Sequence, residues 1–315
     1  MMGQYRMLRS AMVLGFLICI YGSVGAESPW DEVKKILSET RDIIVLDGTD
    51  RSSLRYEGDS QPSHGDWMVS HMLSDPENFN PFTSNDSGAS RVHRYIFESL
   101  LYPENETPYA LKGLIAKDYP TISEDRLSYR FQIREGVHFA DGVPLTTDDV
   151  LFSIKVIQNP RVMAPHLRNY YASVKDVEAD GPYEITFVCA EPYFRNDLML
   201  GGMDILPKHY YDPDGLLDPV EAASLIDGSW KDGPHADRVT QFAERFNRDF
   251  NRRMLGSGPY YVADWENDVV TGQKVILTRS GKYWGSGVPG LPITGYVNRI
   301  VFKIINNVDA AFIEL

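Results

Sequence analysis

Between residues 127 and 134 apolar and polar positions alternate without a break. Leu127, Tyr129, Phe131 and Ile133 fall on one side, and Ser128, Arg130, Gln132 and Arg134 on the other. A period of two predicts a half-buried strand. Glu135-Gly136 and Asp141-Gly142 then place turn residues on either side of Val137-His138-Phe139. Thr146 stands three residues before Asp149, the spacing of a capping box, and Asp148 and Asp149 bring negative charge to the positive end of the helix that follows. Further along, Val174 to Cys189 reads as a hairpin turning at Asp180-Gly181-Pro182. Val239, Phe242, Phe246 and Phe250 step by three and four, which predicts a helix over 235–255. Helical spacing also runs from Val92 to Leu101. Ile300 to Ile305 reads as a strand, and Asn307 as the cap of a helix whose apolar face starts with Val308, Ala311 and Phe312.

The chain opens differently. Arg6 and Arg9 precede an eleven-residue apolar run, Ala11 to Tyr21, and Val24-Gly25-Ala26 supplies small residues, the layout of a secretory signal cleaved after Ala26. The uncharged run from Ser10 to Ala26 is shorter than the ~20 residues of a membrane span. Cys19 lies in mid-run after Ile18, which does not suit lipid attachment. After cleavage, residues 27–65 form an extension: a short helix starting at Ser28-Pro29, a strand at Ile43 to Leu46 and a polar, glycine-containing linker. Only Cys189 would remain as a thiol, so stability has to come from a core that 43% hydrophobic residues can supply.

A formal net charge of −13 argues against nucleic acid and anionic membrane as partners, since both need basic surfaces. Enzyme signals are few. The seven histidines never fall at metal-ligating spacing, Ser257 in Gly256-Ser257-Gly258-Pro259 does not form a nucleophile elbow, and Cys189 alternates with apolar neighbours as a core thiol does. Asp148 and Asp149 point about 100° apart on a helix, so capping explains them better than a carboxylate dyad. Tyrosine pairs at 170–171, 210–211 and 260–261 read as one ring inward and one outward, with a ligand-lining role as the alternative. No catalytic residue, metal or cofactor is expected.

The residues from 127 to 152 nevertheless carry a resemblance. Arg134, Gly136, Val137, Phe139, Asp141, Gly142, Pro144, Thr146, Asp149 and Val150 match the pattern R-x-G-V-x-F-x-D-G-x-P-x-T-x-x-D-V of the family 5 extracellular solute-binding proteins of ABC importers. Asn80-Pro81 resembles the family's L-N-P signature with Phe79 for leucine. Ile96 to Leu100 resembles I-Y-E-G-L with Phe97 and Ser99 substituted, Gly256 to Tyr260 resembles G-T-G-P-Y, and Tyr283-Trp284-Gly285 resembles Y-W-G. The resemblance implies an α/β, type II periplasmic binding protein-like clamshell of mixed sheets flanked by helices. It implies a scaffold lobe from 66–97 and 195–290, an inserted subdomain at 98–194, and at 291–315 the start of a second lobe that is largely missing. Val301, Ile305 and Phe312 would then be exposed.

Function follows from the same resemblance. The chain is expected to be the periplasmic receptor of an ABC importer, holding short peptides as an added extended strand and delivering them to the permease subunits, without spanning the membrane itself. The main chain around Asn85, Asp86, Ser87 and Gly88, just after the Asn-Pro signature, would contact the ligand; a plain surface turn is the alternative for this composition. A secreted hydrolase, a ligand-sensing module and a non-functional fragment are the rival readings.

Overall fold

The computed structural model describes residues 65–315 apart from 105–109, 292–294, 308 and 312–315. The expected signal and residues 27–64 of the expected extension lie outside the described residues. Among the described residues three sheets account for the strands: one of five strands, one of four and one of two.

The four-stranded sheet is the one the alternating run builds. Its order is β4 (Thr121–Ile122), β5 (Ser128–Gln132), β7 (Glu184–Cys189) and β6 (Val174–Ala179), antiparallel throughout. Tyr129 and Phe131 are buried and Arg130 is exposed, as the period of two requires. Phe131 meets Phe187 of β7 edge-on, ring centroids 5.8 Å apart. Gly181 turns the β6–β7 hairpin with φ of 73°, a conformation open to glycine without strain. Helix α2 (Thr147–Gln158) starts with the full capping box: the Thr146 hydroxyl accepts from the first turn, and Asp149 Oδ2 accepts from the Thr146 N–H at 2.9 Å. Arg134, just past β5, reaches back to the segment before β4, donating to the carbonyls of Leu114 (2.8 Å) and Lys117 (2.9 Å).

The five-stranded sheet joins distant pieces. β1 (Gly65–Met72) runs parallel to β11 (Val297–Ile304). β11 pairs antiparallel with β10 (Lys274–Arg279), which pairs with β8 (Tyr260–Tyr261) and β9 (Val269–Val270). Two expectations are corrected by this order. Residues 297–304 are an inner strand of the sheet that β1, β8 and β10 share, not the start of an opposite lobe. Bonded on both sides, β11 buries Ile300, Val301, Phe302 and Ile304, so the expected exposed patch at Val301 is absent. Exposed apolar side chains lie instead on β1 and just beyond it, at Trp67 (60% exposed), Val69, Met68 and Leu73. Past β11, Asn307 Oδ1 accepts from the N–H groups of Asp309 and Ala310, as expected of a cap; Phe312 lies outside the described residues.

Helices fill the space around the sheets. α1 (Ser87–Ile96) precedes the small sheet of β2 (Leu101–Pro103) and β3 (Leu111–Gly113). α3 (Pro165–Tyr170), α4 (Asn196–Gly201), α5 (Lys208–Tyr211) and α6 (Ala222–Asp227) are short. α7 (Ala236–Asp249) buries Val239, Phe242 and Phe246, and Phe242 packs edge-on against Phe152 of α2 at 5.7 Å. The helical pattern read to 255 stops at Phe250, where the Asn251 carbonyl accepts from Phe79 N–H instead of continuing the helix. Each tyrosine pair splits as expected: Tyr171, Tyr211 and Tyr260 are buried, while Tyr170, Tyr210 and Tyr261 are not. Cys189 is a buried free thiol whose pKa burial pushes up.

Candidate functional site

From the end of β1 to α1 the chain is organised by Asn80. Its side chain is fully buried: Nδ2 donates to the Phe246 carbonyl at 3.0 Å, while Oδ1 accepts from the N–H groups of Phe82 and Thr83. One side chain therefore ties the turn to α7 and shapes it, which is a physical reason for an asparagine before Pro81. Phe79 beside it is also fully buried, and its carbonyl meets His93 Nε2 at 2.9 Å. Burial lowers the His93 pKa to about 4, so the ring is neutral near pH 7.

The four predicted site residues come next, and they divide. Asp86 is the N-cap of α1, its Oδ1 accepting from Gly88 N–H at 2.5 Å and Ala89 N–H at 3.2 Å. Gly88 is buried, and a Cβ there would stand 2.9 Å from both Asp86 Oδ1 and Met72 Cε. The expectation that the main chain is free throughout this segment is corrected at Gly88, whose N–H belongs to the cap. Asn85 and Ser87 are exposed, and Ser87 holds the first helical position, where the helix offers its N–H no acceptor. Arg91 secures this segment from α1, donating to the His71 carbonyl and to Ser70 Oγ, both at 2.6 Å.

Sequence reasoning missed a second cluster at the other end of α1. Glu98 is buried and accepts from three side chains: Tyr283 Oη–H, Trp284 Nε1–H at 2.8 Å and Ser257 Oγ–H at 2.8 Å. Burial raises its pKa to about 7 against the opposing pull of those hydrogen bonds. Three of the quoted motifs thus converge on one carboxyl, and the glycines flanking Ser257 explain themselves. A Cβ on Gly256 would lie 2.1 Å from the Ile96 carbonyl oxygen, and one on Gly258 2.6 Å from that of Tyr95. Gly258 N–H donates to the Ile96 carbonyl at 2.9 Å, and the helix ends at Ile96, five residues before the end the spacing predicts. The signal was present as an acid embedded in Phe97-Glu98-Ser99-Leu100-Leu101, an apolar run in which a carboxylate needs partners.

An open cleft of about 350 Å³ lies where α2 begins, lined in part by Thr146, Asp148, Asp149, Lys208, His209 and Asp218. Its polar groups are mostly engaged: Asp149 accepts from Thr146 and Lys208 N–H groups, Lys208 pairs with Asp218 at 2.6 Å, and His209 with Asp141 at 2.7 Å. These contacts hold α5 against the capping box. Among the described residues no group of three histidine, cysteine, aspartate or glutamate side chains is placed to hold a metal ion, and no helix is long and apolar enough to cross a membrane.

Mixed sheets packed with helices in this order define the type II periplasmic binding protein fold. Residues 110–315 match the family described as bacterial extracellular solute-binding proteins, family 5 (middle), and the chain belongs to that family. It is 26% identical over 286 residues to the probable peptide-binding protein YejA of Agrobacterium fabrum, covering 90% of this chain and 40% of YejA. Against the oligopeptide-binding protein AppA of Bacillus subtilis it is 26% identical over 264 residues, covering 81% of this chain and 40% of AppA. The structure of AppA in complex with a nonapeptide superposes with a TM-score of 0.60 over 81% of this chain and 43% of AppA, at 25% identity. A periplasmic EDTA-binding protein, EppA, superposes with a TM-score of 0.61 at 20% identity over 81% of this chain and 42% of EppA, which speaks to fold alone. The chain thus spans about two-fifths of the length of these relatives.

Proposed function

We propose that the chain serves in a periplasmic receptor that captures short peptides in extended form and delivers them to the permease subunits of an ABC importer. The similarity to AppA, whose solved structure holds a nonapeptide, carries this reading over the nickel-chelate and EDTA ligands of more distant neighbours. Export through a cleaved signal belongs to the same proposal. On the chain itself, Asn85 and Ser87 are the exposed positions in a segment whose shape Asn80, Asp86 and Arg91 hold rigid. A main-chain donor at Ser87 suits a ligand recognised by its backbone, which allows affinity without side-chain selectivity.

Calorimetry with a mixture of random short peptides tests the ligand class, and Ser87→Pro tests the segment. Proline is accommodated at the first helical position, so the helix should form while the N–H disappears. Saturable peptide binding, weakened about fivefold or more in Ser87→Pro, is expected for one lost hydrogen bond of roughly 1 kcal/mol. Peptide binding that ignores the substitution would move the site elsewhere. Binding of a metal chelate or sugar in place of peptides would overturn the ligand class.

A further inference from the structure

We infer, on the ligand reading proposed above, that Arg91 is a positioning residue: it fixes where α1 sits on the five-stranded sheet and so where Ser87 holds its main-chain N–H. Three residues along one side of the helix, Gly88, Arg91 and Tyr95, spaced by three and four, meet the sheet. At Gly88 the neighbour is Met72, the last residue of β1, whose Cε would stand 2.9 Å from a Cβ at that position. Tyr95 meets Phe302 of β11 and Tyr260 of β8, with ring centroids 6.1 and 5.8 Å apart. Between the two, Arg91 carries its guanidinium 5.8 Å from the centre of the Phe302 ring and donates to Ser70 Oγ and the His71 carbonyl. Ser70 and Phe302 are register partners, so one side chain grips both β1 and β11.

Main-chain geometry explains why an arginine suits this place. Ile305 N–H donates to the Met72 carbonyl at 2.9 Å, which turns that carbonyl toward β11. Carbonyls alternate along a strand, so that of His71 points away from β11. Arg91 Nη1 reaches it at 2.6 Å while Nη2 holds Ser70 Oγ at 2.6 Å, two bonds from one planar fork to two uncharged acceptors. The His71 ring in turn meets the Ile305 carbonyl at 2.8 Å, which links α1 through Arg91 and His71 to the chain just past β11.

Of the three contacts with the sheet, only that of Arg91 has direction. Apolar packing at Gly88 and Tyr95 presses α1 down without fixing it along its axis. His93 holds the Phe79 carbonyl at 2.9 Å, which ties the helix to the turn at Asn80 rather than to the sheet. Ser87 lies one helical turn from Arg91. A slip of about 1 Å would carry its N–H out of the range of a good hydrogen bond. A main-chain donor contributes most when it is in place before the ligand arrives, and Arg91 supplies that placement without touching the ligand.

A double-mutant cycle on peptide binding, read by calorimetry with the random short-peptide mixture, tests this. Arg91→Ala should weaken binding about fivefold, as Ser87→Pro does, and add less than about 1.5-fold when combined with Ser87→Pro, because both act on one hydrogen bond. Arg91→Lys and Ser70→Ala each keep one of the two bonds and should cost about twofold. They carry the same test should Arg91→Ala fail to fold. In the ligand-free protein, the nuclear Overhauser contact between the Met72 methyl and the Gly88 α-protons reads the seat of α1, and Arg91→Ala should weaken it at least twofold. Losses at Arg91 and Ser87 that combine in full, or a Met72–Gly88 contact that ignores Arg91→Ala, would overturn the inference. If the parent binds no peptide, or Ser87→Pro leaves binding unchanged, the ligand reading itself fails, and the Met72–Gly88 contact alone then decides whether Arg91 sets the helix.

Discussion

Among the described residues the two larger sheets end in different kinds of edge strand. In the four-stranded sheet one edge, β4, is two residues long. The other, β6, carries a bulge between Val174 and Asp176 and presents Lys175 and Glu178 to solvent. Short strands, bulges and charges are what keep an edge from pairing with other chains. Among the described residues the five-stranded sheet ends in β1, which is eight residues long and carries one acid, Asp66. Its inner strand β11 is held by residues far away in sequence; His71 Nε2 meets the Ile305 carbonyl across 234 positions. One sheet is built within a local stretch of chain, whereas the other joins pieces more than two hundred positions apart.

The comparison is broken most severely in the closed sheet. Phe131 is fully buried, with Phe187 against its ring, and Phe131→Ala should cost about 3–5 kcal/mol in denaturant unfolding. If it costs under 1 kcal/mol, the four-stranded sheet is not an independently packed core. At the junction below α1, Gly256→Ala forces a methyl against the Ile96 carbonyl, where main chain rather than a flexible side chain must yield. A loss of about 1–3 kcal/mol is expected by the same measurement.

Glu98 sharpens the contrast through pH. Its folded pKa, raised by burial to about 7, exceeds the ordinary 4.5, so the folded state binds more protons than the unfolded state between those values. Stability from this group is therefore fully present below about 4.5 and is lost as pH rises through 7. His93 acts with the opposite sign, since its lowered pKa makes stability rise between about 4 and 6.5, and Asp204, raised by burial to about 7, acts with the same sign as Glu98. Comparing the parent with Glu98→Gln cancels both. The variant should gain on the parent by roughly 2–3 kcal/mol between pH 4 and pH 8, because it never buries a charge. A difference that does not change with pH would mean that Glu98 is not titrating in a buried site.

Much of the closed sheet was legible because its signals are local. The alternation at 127–133, the Asp180-Gly181-Pro182 turn and the Thr146–Asp149 box each need only a few neighbouring residues, and each formed as read. The scaffold sheet was not legible in the same way. Nothing near Ile300 reveals that Met68 and Leu277 flank it, so the sequence alone leaves β11 outside the scaffold sheet and Val301 on the surface. Turn composition over 85–88 does not distinguish a free main chain from a helix cap, so nothing local marks Asp86 and Gly88 as parts of a cap. The Glu98 cluster was hidden because its partners stand about 160 and 185 positions away; motif resemblance brought its pieces forward without showing that they meet.

The smallest effect should come from the solvent face of the same strand that gives the largest. Arg130 points outward from β5, and its guanidinium lies 3.5 Å from the Glu184 carboxylate of β7, with Arg130 more than half exposed. Water screens such a pair, and ordering two long side chains offsets most of the attraction. Arg130→Ala should therefore change unfolding free energy by less than about 0.5 kcal/mol, one-tenth of the loss at its neighbour Phe131. A loss above about 1 kcal/mol would show that the outer face is packed against something. The four-stranded sheet would then be covered on both sides, and the contrast with β1 would lie in burial rather than in edge design.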